Sequence, residues 1–206
     1  MRRTLDPTLR ARAQHAVGGV LILLSGCAHL GEATAFDPGE LEVQGWLAAR
    51  NVPLVLQKET EDCGAAALQM VLTFWQVPAS EKELADSCPS LPGQGIRARD
   101  LRDMARKQGL HSYLIHATWE DLKTEVSLSH PLIVGLVKPT AGGGLTHYEV
   151  VVAVHPEKRI VVTQDPAKAW RQYPWEGFRK EWEPAGFLTL VFSREDSRPG
   201  PPSPGP

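Results

Sequence analysis

Gln57 precedes Cys63 by six positions, a pairing that can support nucleophilic attack by a thiol. Cys63 opens a run with helical periodicity, and the unpaired N–H groups at a helix N-terminus favour the thiolate, which is the attacking form. The amide of Gln57 and the backbone N–H of Cys63 could then donate hydrogen bonds to the oxyanion that develops during attack. The pair therefore predicts a nucleophilic site at Cys63.

His147 and Asp165 follow much later, in segments rich in β-branched residues. An imidazole beside the thiol can hold a proton and return it to a departing amine. A carboxylate at the other ring nitrogen would fix the tautomer and the orientation of the ring. The chain order Cys63, His147, Asp165 predicts a triad that transfers or hydrolyses acyl groups.

Each of these residues also has an ordinary structural interpretation. Cys63 could be a small core residue, or it could form a disulfide with Cys88 in an exported protein. His147 could be a satisfied strand histidine, and Asp165, followed by Pro166, could belong to a turn. Their combination favours the catalytic interpretation, because a nucleophile is recognised together with its base and orienting group.

The elements that must position these residues can be predicted from periodicity and turn signals. Residues 63–75 are predicted to form a buried helix, and residues 40–49 are predicted to include a helical turn. Further helices are expected at 80–86, 99–108, 118–126 and 173–182, and strands at 52–56, 112–116, 131–138, 148–154, 159–164 and 187–192. Since helices come first and strands mostly later, the order favours an α+β fold with an antiparallel sheet.

The hairpin formed by 148–154 and 159–164 imposes a geometric condition on the site. Side chains alternate between the two faces of a strand, so His147 and Asp165 share a face only in some registers. Pairing Val154 with Arg159 would place Asp165 on the wrong face, whereas pairing Val154 with Lys158 would place it opposite His147. We therefore expect a turn with an odd number of residues, or a bulge, in this hairpin.

The first 26 residues have the pattern of a cleaved signal segment. Four arginines are followed by an apolar run over 16–24, which is shorter than the roughly 20 residues that a membrane-spanning helix needs. The segment resembles a bacterial lipoprotein signal, which implies cleavage before Cys27 and acylation of that cysteine. We expect residues 1–26 to be the signal, 27–50 a membrane tether, 51–192 one folded domain and 193–206 a disordered Pro-rich tail.

Composition excludes several classes of function. The formal net charge of −2 becomes more negative without the arginine-rich signal, so nothing suggests a nucleic-acid surface. The sequence has neither the HExxH motif nor paired Cys/His ligands, so we expect no metal and no cofactor. At 206 residues, a single domain that acts as a monomer is expected.

The residues around Gln57, Asp62-Cys63-Gly64, Thr146-His147-Tyr148 and Gln164-Asp165-Pro166 together resemble the bacteriocin-processing (double-glycine leader) cysteine peptidase family of the papain clan. The resemblance implies a papain-like α+β fold, with the nucleophile on a central helix that packs against a C-terminal antiparallel sheet. It also implies thiol peptidase chemistry with Gln57, Cys63, His147 and Asp165 in the site. The closer analogy is with free-standing, membrane-tethered members.

The sequence therefore predicts a cysteine peptidase that hydrolyses peptide bonds through an acyl-thioester on Cys63. Acylated Cys27 would hold it at the bacterial cell envelope, on the periplasmic face and in the outer membrane, and its partners would be a peptide or protein substrate and the lipid. Two other interpretations stay open. The same triad could serve an acyl transferase or amidase, such as a transglutaminase or deamidase, or the protein could be a catalytically silent adaptor.

Overall fold

The structure is a computed structural model that describes residues 32–79, 83–84, 95–140 and 143–194. Its helices are α1 (Cys63–Phe74), α2 (Ala98–Lys107), α3 (Trp119–Ser127) and α4 (Trp175–Trp182), with 3-10 helices at Pro38–Glu42 and Glu183–Ala185. Its strands are β1 (Thr34–Ala35), β2 (Leu47–Ala48), β3 (His111–His116), β4 (Leu132–Thr140), β5 (Gly143–His155), β6 (Ile160–Asp165), β7 (Ala169–Pro174) and β8 (Leu188–Ser193). The predicted α+β class is confirmed.

The strands form one antiparallel sheet in the order β1-β7-β6-β5-β4-β8-β3, and β2 pairs with β5 as well. Its centre is the meander β4-β5-β6-β7, in which consecutive strands are neighbours, so short connections suffice. β5 is the longest strand and carries His147, while β6 ends at Asp165. The two predicted site residues of the sheet therefore lie on adjacent strands.

Helices cover both faces of this sheet. Along β4, Ile133 points into one hydrophobic core, which α1 and α2 complete. Its neighbours Leu132 and Val134 belong to the other core, together with apolar side chains of α3 and α4. This alternation is the period of two that a strand buried on both faces requires.

Helix α1 is the element that presents Cys63 to the sheet, as the sequence predicted. It begins at Cys63 and ends at Phe74, one residue before the predicted end. Its first turns contain the small buried residues Ala65, Ala66 and Ala67, which allow a close approach, and Met70 fills the core below them. Burial of such a methionine side chain contributes about 1.5–3 kcal/mol to folding.

The order of elements after β6 differs from the prediction. A helix was expected over 173–182, but residues 169–174 form strand β7, and α4 begins at Trp175. The pairing of β7 with the exposed edge of β6 satisfies the backbone of this segment, and Pro174 ends the strand. The strand predicted at 52–56 also does not form, since these residues are assigned neither to helix nor to strand.

Part of the predicted tether packs against the sheet. Thr34 and Ala35 pair with β7, Leu47 and Ala48 pair with β5, and Phe36 is buried in the α1-side core. Within the predicted helical turn at 40–49, a 3-10 helix ends at Glu42 and a strand follows. The division of the chain into domains stays a prediction, but the folded body includes residues 34–50.

Several predicted features lie outside the described residues. These are the signal segment, Cys27, most of the helix expected at 80–86, Cys88, and the tail from residue 195 onward. Among the helices that the structure describes, none has the length and the apolar character needed to span a bilayer.

Candidate active site

Cys63 is the first residue of α1, so its backbone N–H and those of the following residues lie at the positive end of the helix dipole. Its side chain is 6% exposed and, within the described part of the chain, carries a free thiol. Gly64 brings this end of the helix close to the sheet. A Cβ at Gly64 would lie 3.3 Å from Tyr148 Cδ2, which is tighter than most packed contacts.

His147 lies near the start of β5 and is 8% exposed. Its ring nitrogen Nε2 lies 2.7 Å from Oδ1 of Asp165, the distance of a charge-assisted hydrogen bond. The side chain of Cys63 lies close enough to this ring to help raise the pKa of His147. Because Nε2 binds Asp165, Nδ1 is the ring nitrogen that remains for a contact with the sulfur. The structure thus brings together the three residues that the sequence placed in a triad.

A β-bulge at Val152 is what allows His147 and Asp165 to share a face. Near the turn, His155 pairs with Ile160, but the register shifts between Ala153 and Val151, so that Val150 pairs with Gln164. Without this shift, Asp165 would lie opposite Val150, which points to the other face from His147. The predicted bulge is confirmed. The two registers considered from the sequence are wrong, since Val154 pairs with Val161.

The surroundings of His147 favour the charged ring. Burial alone lowers the pKa of this imidazole, but the hydrogen bonds to Asp165 and Cys63 and the nearby charge of Glu149 outweigh it, and they raise the pKa of His147 to about 10. His147 is therefore an imidazolium at neutral pH.

Asp165 has the complementary environment. Burial by itself raises the pKa of Asp165, yet the hydrogen bond and the charge of His147, with a hydrogen bond from the Ala167 backbone N–H at 2.7 Å, lower it below its ordinary value. Asp165 is therefore a carboxylate at neutral pH. Its hydrogen bond to Nε2 holds the ring, the role that the third residue of such a triad has.

The backbone of Gln57 forms a hydrogen bond with the loop that follows Asp165. Its N–H donates to the carbonyl of Pro166 at 2.9 Å, directly after Asp165. Its side-chain Nε2, however, donates to the carbonyls of Glu59 and Thr60, at 2.9 and 3.2 Å. Its Oε1 is buried without a partner among the described residues. Gln57 is therefore close to the Asp165 loop, with its amide hydrogens directed at its own loop.

Sequence reasoning missed a buried polar network beside this pair. Glu149, two residues after His147, is fully buried and accepts hydrogen bonds from Thr163 and Tyr173. Lys138 forms ion pairs with both Glu149 and Glu181. One signal was available in the sequence. Glu149 is the single charged residue between His147 and Val154, in a strand that is otherwise apolar.

One atom each of His147, Glu149 and Asp165 could act as a metal ligand, and these atoms lie within 4.8 Å of one another. In the structure, these atoms take part in hydrogen bonds within the protein. The His147 nitrogen and the Asp165 oxygen bind each other, and both oxygens of Glu149 accept hydrogen bonds from protein donors. The geometry is therefore that of a hydrogen-bonded acid-base site.

Comparisons with known proteins identify the family of this chain. The model of the Peptidase C39 family matches residues 51–196. The peptidase domain of Streptococcus ComA, a bifunctional ABC transporter involved in a quorum-sensing pathway, is 26% identical at a TM-score of 0.59, and the match covers 70% of this chain and 100% of that domain.

Two further structures are similar in fold. A double-glycine motif protease from an AMS/PCAT transporter, crystallised with its leader peptide, is 24% identical, with a TM-score of 0.57 over 70% of this chain and 92% of that one. A C39-like peptidase from Bacillus anthracis is 16% identical, with a TM-score of 0.61 over 73% of this chain and 98% of that one. None of the curated proteins matches the chain. The family match over most of the chain shows that this protein belongs to the peptidase C39 family and is a cysteine-type peptidase with that family's papain-like fold.

Proposed function

We propose that this peptidase hydrolyses peptide bonds through an acyl-thioester on Cys63, with His147 as the acid and base and Asp165 as its orienting partner. The observation that carries the proposal is the position of the His147 ring. Nε2 lies 2.7 Å from Asp165, and the side chain of Cys63 is near enough to the ring to raise the pKa of His147. This is the arrangement of nucleophile, base and orienting group that thiol hydrolysis requires.

In the first half of the reaction, the thiolate of Cys63 attacks the carbonyl carbon of the substrate, and the carbonyl electrons move to its oxygen. When they return, the C–N bond breaks, and the imidazolium of His147 transfers its proton to the departing amine. Water then attacks the thioester carbon and gives a proton to His147. The C–S bond breaks, which releases the acid and restores the thiolate–imidazolium pair.

The oxyanion of this reaction needs donors. The backbone N–H of Cys63 is one, since the N-terminal N–H groups of a helix have no partner within the helix. We propose Gln57 Nε2 as the second donor, as the sequence suggested. To act in this way, the amide must release Glu59 or Thr60, to whose carbonyls it now donates. Substrate binding would supply the competing acceptor.

The proposed substrate is a peptide or a segment of a protein. The leader peptide bound to one similar protease supports this class. We further propose that acylated Cys27 holds the enzyme at the bacterial cell envelope, on the periplasmic face. The support for this part is the sequence pattern of the first 27 residues.

The test is mass analysis of products after incubation of the full-length protein with a mixture of synthetic peptides. We expect peptides that are split into two fragments, with one atom of ¹⁸O from labelled water in the new carboxyl group. A Cys63→Ala variant, which keeps the fold, should give none. Intact peptides with an exchanged or deamidated amide would instead indicate transferase or amidase chemistry, and peptides left unchanged would indicate a silent adaptor.

A further inference from the structure

Glu149 lies beside two residues of the candidate triad, His147 and Asp165. It follows His147 by two positions on β5, so both side chains point to the same face of the sheet. A Glu149 carboxylate oxygen, a ring nitrogen of His147 and an oxygen of Asp165 lie within 4.8 Å of one another. The imidazole therefore faces two carboxylates.

Three side chains hold the carboxylate of Glu149 in place. Lys138 Nζ lies 2.7 Å from Oε1, and the hydroxyl of Tyr173 lies 2.8 Å from the same oxygen. Thr163 Oγ1 donates to Oε2 at 2.5 Å. With donors on both oxygens and no exposed surface, the carboxylate cannot rotate away from the ring.

We propose that Glu149 is a positioning residue of the site, a second buried carboxylate that keeps the ring of His147 charged beside Cys63. The inference rests on the proposed role of His147 as acid and base. It assigns the Lys138, Tyr173 and Thr163 contacts a function, which is to fix Glu149 in place.

The groups that face His147 come from several elements. Asp165 on β6 binds the ring directly, and the side chain of Cys63 on α1 and the charge of Glu149 on β5 favour the protonated form. Behind them lie the polar groups of Lys138 on β4, Tyr173 on β7 and Glu181 on α4. An opposite charge within about 4–6 Å typically shifts a pKa by one to three units.

The positive charge of Lys138 offsets only part of the negative charge of Glu149 and Glu181. Burial lowers the pKa of Lys138, but the charges of Glu149 and Glu181 outweigh this and raise it, so Lys138 remains a cation. The three carboxylates of Glu149, Glu181 and Asp165 therefore outnumber the two cations, Lys138 and the imidazolium.

Energetics also favour a functional interpretation. Burying carboxylates is costly, and replacing a buried ion pair with apolar residues of similar volume is often neutral or stabilising. Other positions of the same strand, Val151 and Val154, fill the core on this face with valine. A requirement for stability alone would be met by an apolar residue at 149.

The experiment is an NMR titration of the His147 ring in the ¹⁵N-labelled full-length protein, with the signal assigned from a His147→Gln variant. Glu149→Gln keeps the size of the side chain and removes its charge, so the midpoint of the His147 titration should fall by about one pH unit or more. Glu181→Gln is the matched control, because it removes a carboxylate that binds the same Lys138. The midpoint of the His147 titration should shift less in Glu181→Gln than in Glu149→Gln. An unchanged midpoint in Glu149→Gln, or equal shifts in the two variants, would overturn the proposal.

A second variant covers the possibility that Glu149→Gln does not fold. In the double variant Cys63→Ala with Asp165→Asn, both direct partners of the ring lose their charge and Glu149 remains. Burial alone would then place the His147 midpoint below its ordinary value of 6.5. We expect a midpoint above 6.5, and a midpoint below it would contradict the proposal. Since the titration needs no peptide cleavage, its outcome is independent of the proposed reaction.

Discussion

His147 Nε2 lies 2.7 Å from Asp165 Oδ1, although the two residues come from different strands and a one-residue bulge separates the paired parts of those strands. The contact depends on that bulge, which moves Asp165 to the face of His147. The ring thereby binds a carboxylate through Nε2, which leaves Nδ1 for a thiol. Several consequences of this relationship can be measured.

Asp165 should be more tolerant of asparagine than of alanine. The side-chain oxygen of asparagine can still accept a hydrogen bond from Nε2–H, whereas alanine leaves the ring unoriented. We expect Asp165→Ala to lower kcat roughly a hundredfold or more and Asp165→Asn to retain more activity. Peptide cleavage assays measure both. Equal losses in the two variants would argue against an orienting hydrogen bond.

The stability that His147 contributes should depend on pH in a defined direction. Its pKa is raised from 6.5 to about 10 by folding, so the contribution is complete below pH 6.5 and is lost as the pH rises through about 10. The difference in unfolding free energy between the wild type and His147→Gln should therefore shrink over this range. Urea unfolding at several pH values measures it, and a difference that grows with pH would contradict the assignment.

Gln57 should contribute to the rate more than to substrate binding. Gln57→Glu keeps the shape of the side chain but removes the donor, and loss of one oxyanion donor typically lowers kcat about a hundredfold to a thousandfold. KM should change little. Since Nε2 also holds the carbonyls of Glu59 and Thr60, thermal unfolding of the variant is the control. A loss of stability with kcat preserved would indicate a purely structural role.

Gly64→Ala should impair the reaction more than the fold. The added Cβ would lie 3.3 Å from both Leu101 Cδ1 and Tyr148 Cδ2, so these neighbours must yield by a few tenths of an ångström. Alanine offsets part of this strain, because its helix propensity is better by about 1 kcal/mol. The displacement occurs beside Cys63, so kcat should fall roughly tenfold.

Thr73→Ala, at an exposed position near the other end of α1, is the control for Gly64→Ala. It should leave both kcat and the unfolding midpoint close to those of the wild type. If Gly64→Ala behaved in the same way, close packing at the N-terminus of α1 would not matter for the position of Cys63.

Cys27→Ala should change the location of the protein without impairing its catalytic domain. Without the acylated cysteine, the chain should move from the membrane fraction to the soluble fraction. Fractionation of cells and incorporation of labelled palmitate test this, and peptide cleavage by the released protein tests the domain. A variant that stayed in the membrane fraction would contradict the predicted anchor.

Much of the site could be predicted because its signals are local. The helix that begins at Cys63 follows from apolar periodicity over twelve residues, and the strand around His147 follows from its β-branched residues. The need for an odd turn or a bulge followed from the number of residues between His147 and Asp165, since side chains alternate between the two faces of any strand. The helix predicted at 118–126 forms as α3, which begins at a capping box of Thr118 and Asp121.

What could not be predicted depends on the pairing of distant segments. Strand β7 has no clear alternation of its own, and it forms because the edge of β6 needs a partner. Residues 34–50 carry no motif, yet their pairing with β5 and β7 places Phe36 in the core. The environment of Glu149 became visible only when the sheet register placed Lys138 and Tyr173 beside it.

The central claim is that Cys63 and His147 form one reactive pair, and the rate of alkylation of Cys63 tests it most directly. Full-length protein would be treated with iodoacetamide at pH 6, and modification of each cysteine would be followed by peptide mass spectrometry. Cys63 should react faster than Cys88, and His147→Ala should slow its reaction roughly tenfold or more, since the thiolate loses its partner. Equal rates for Cys63 in the wild type and His147→Ala would contradict the account.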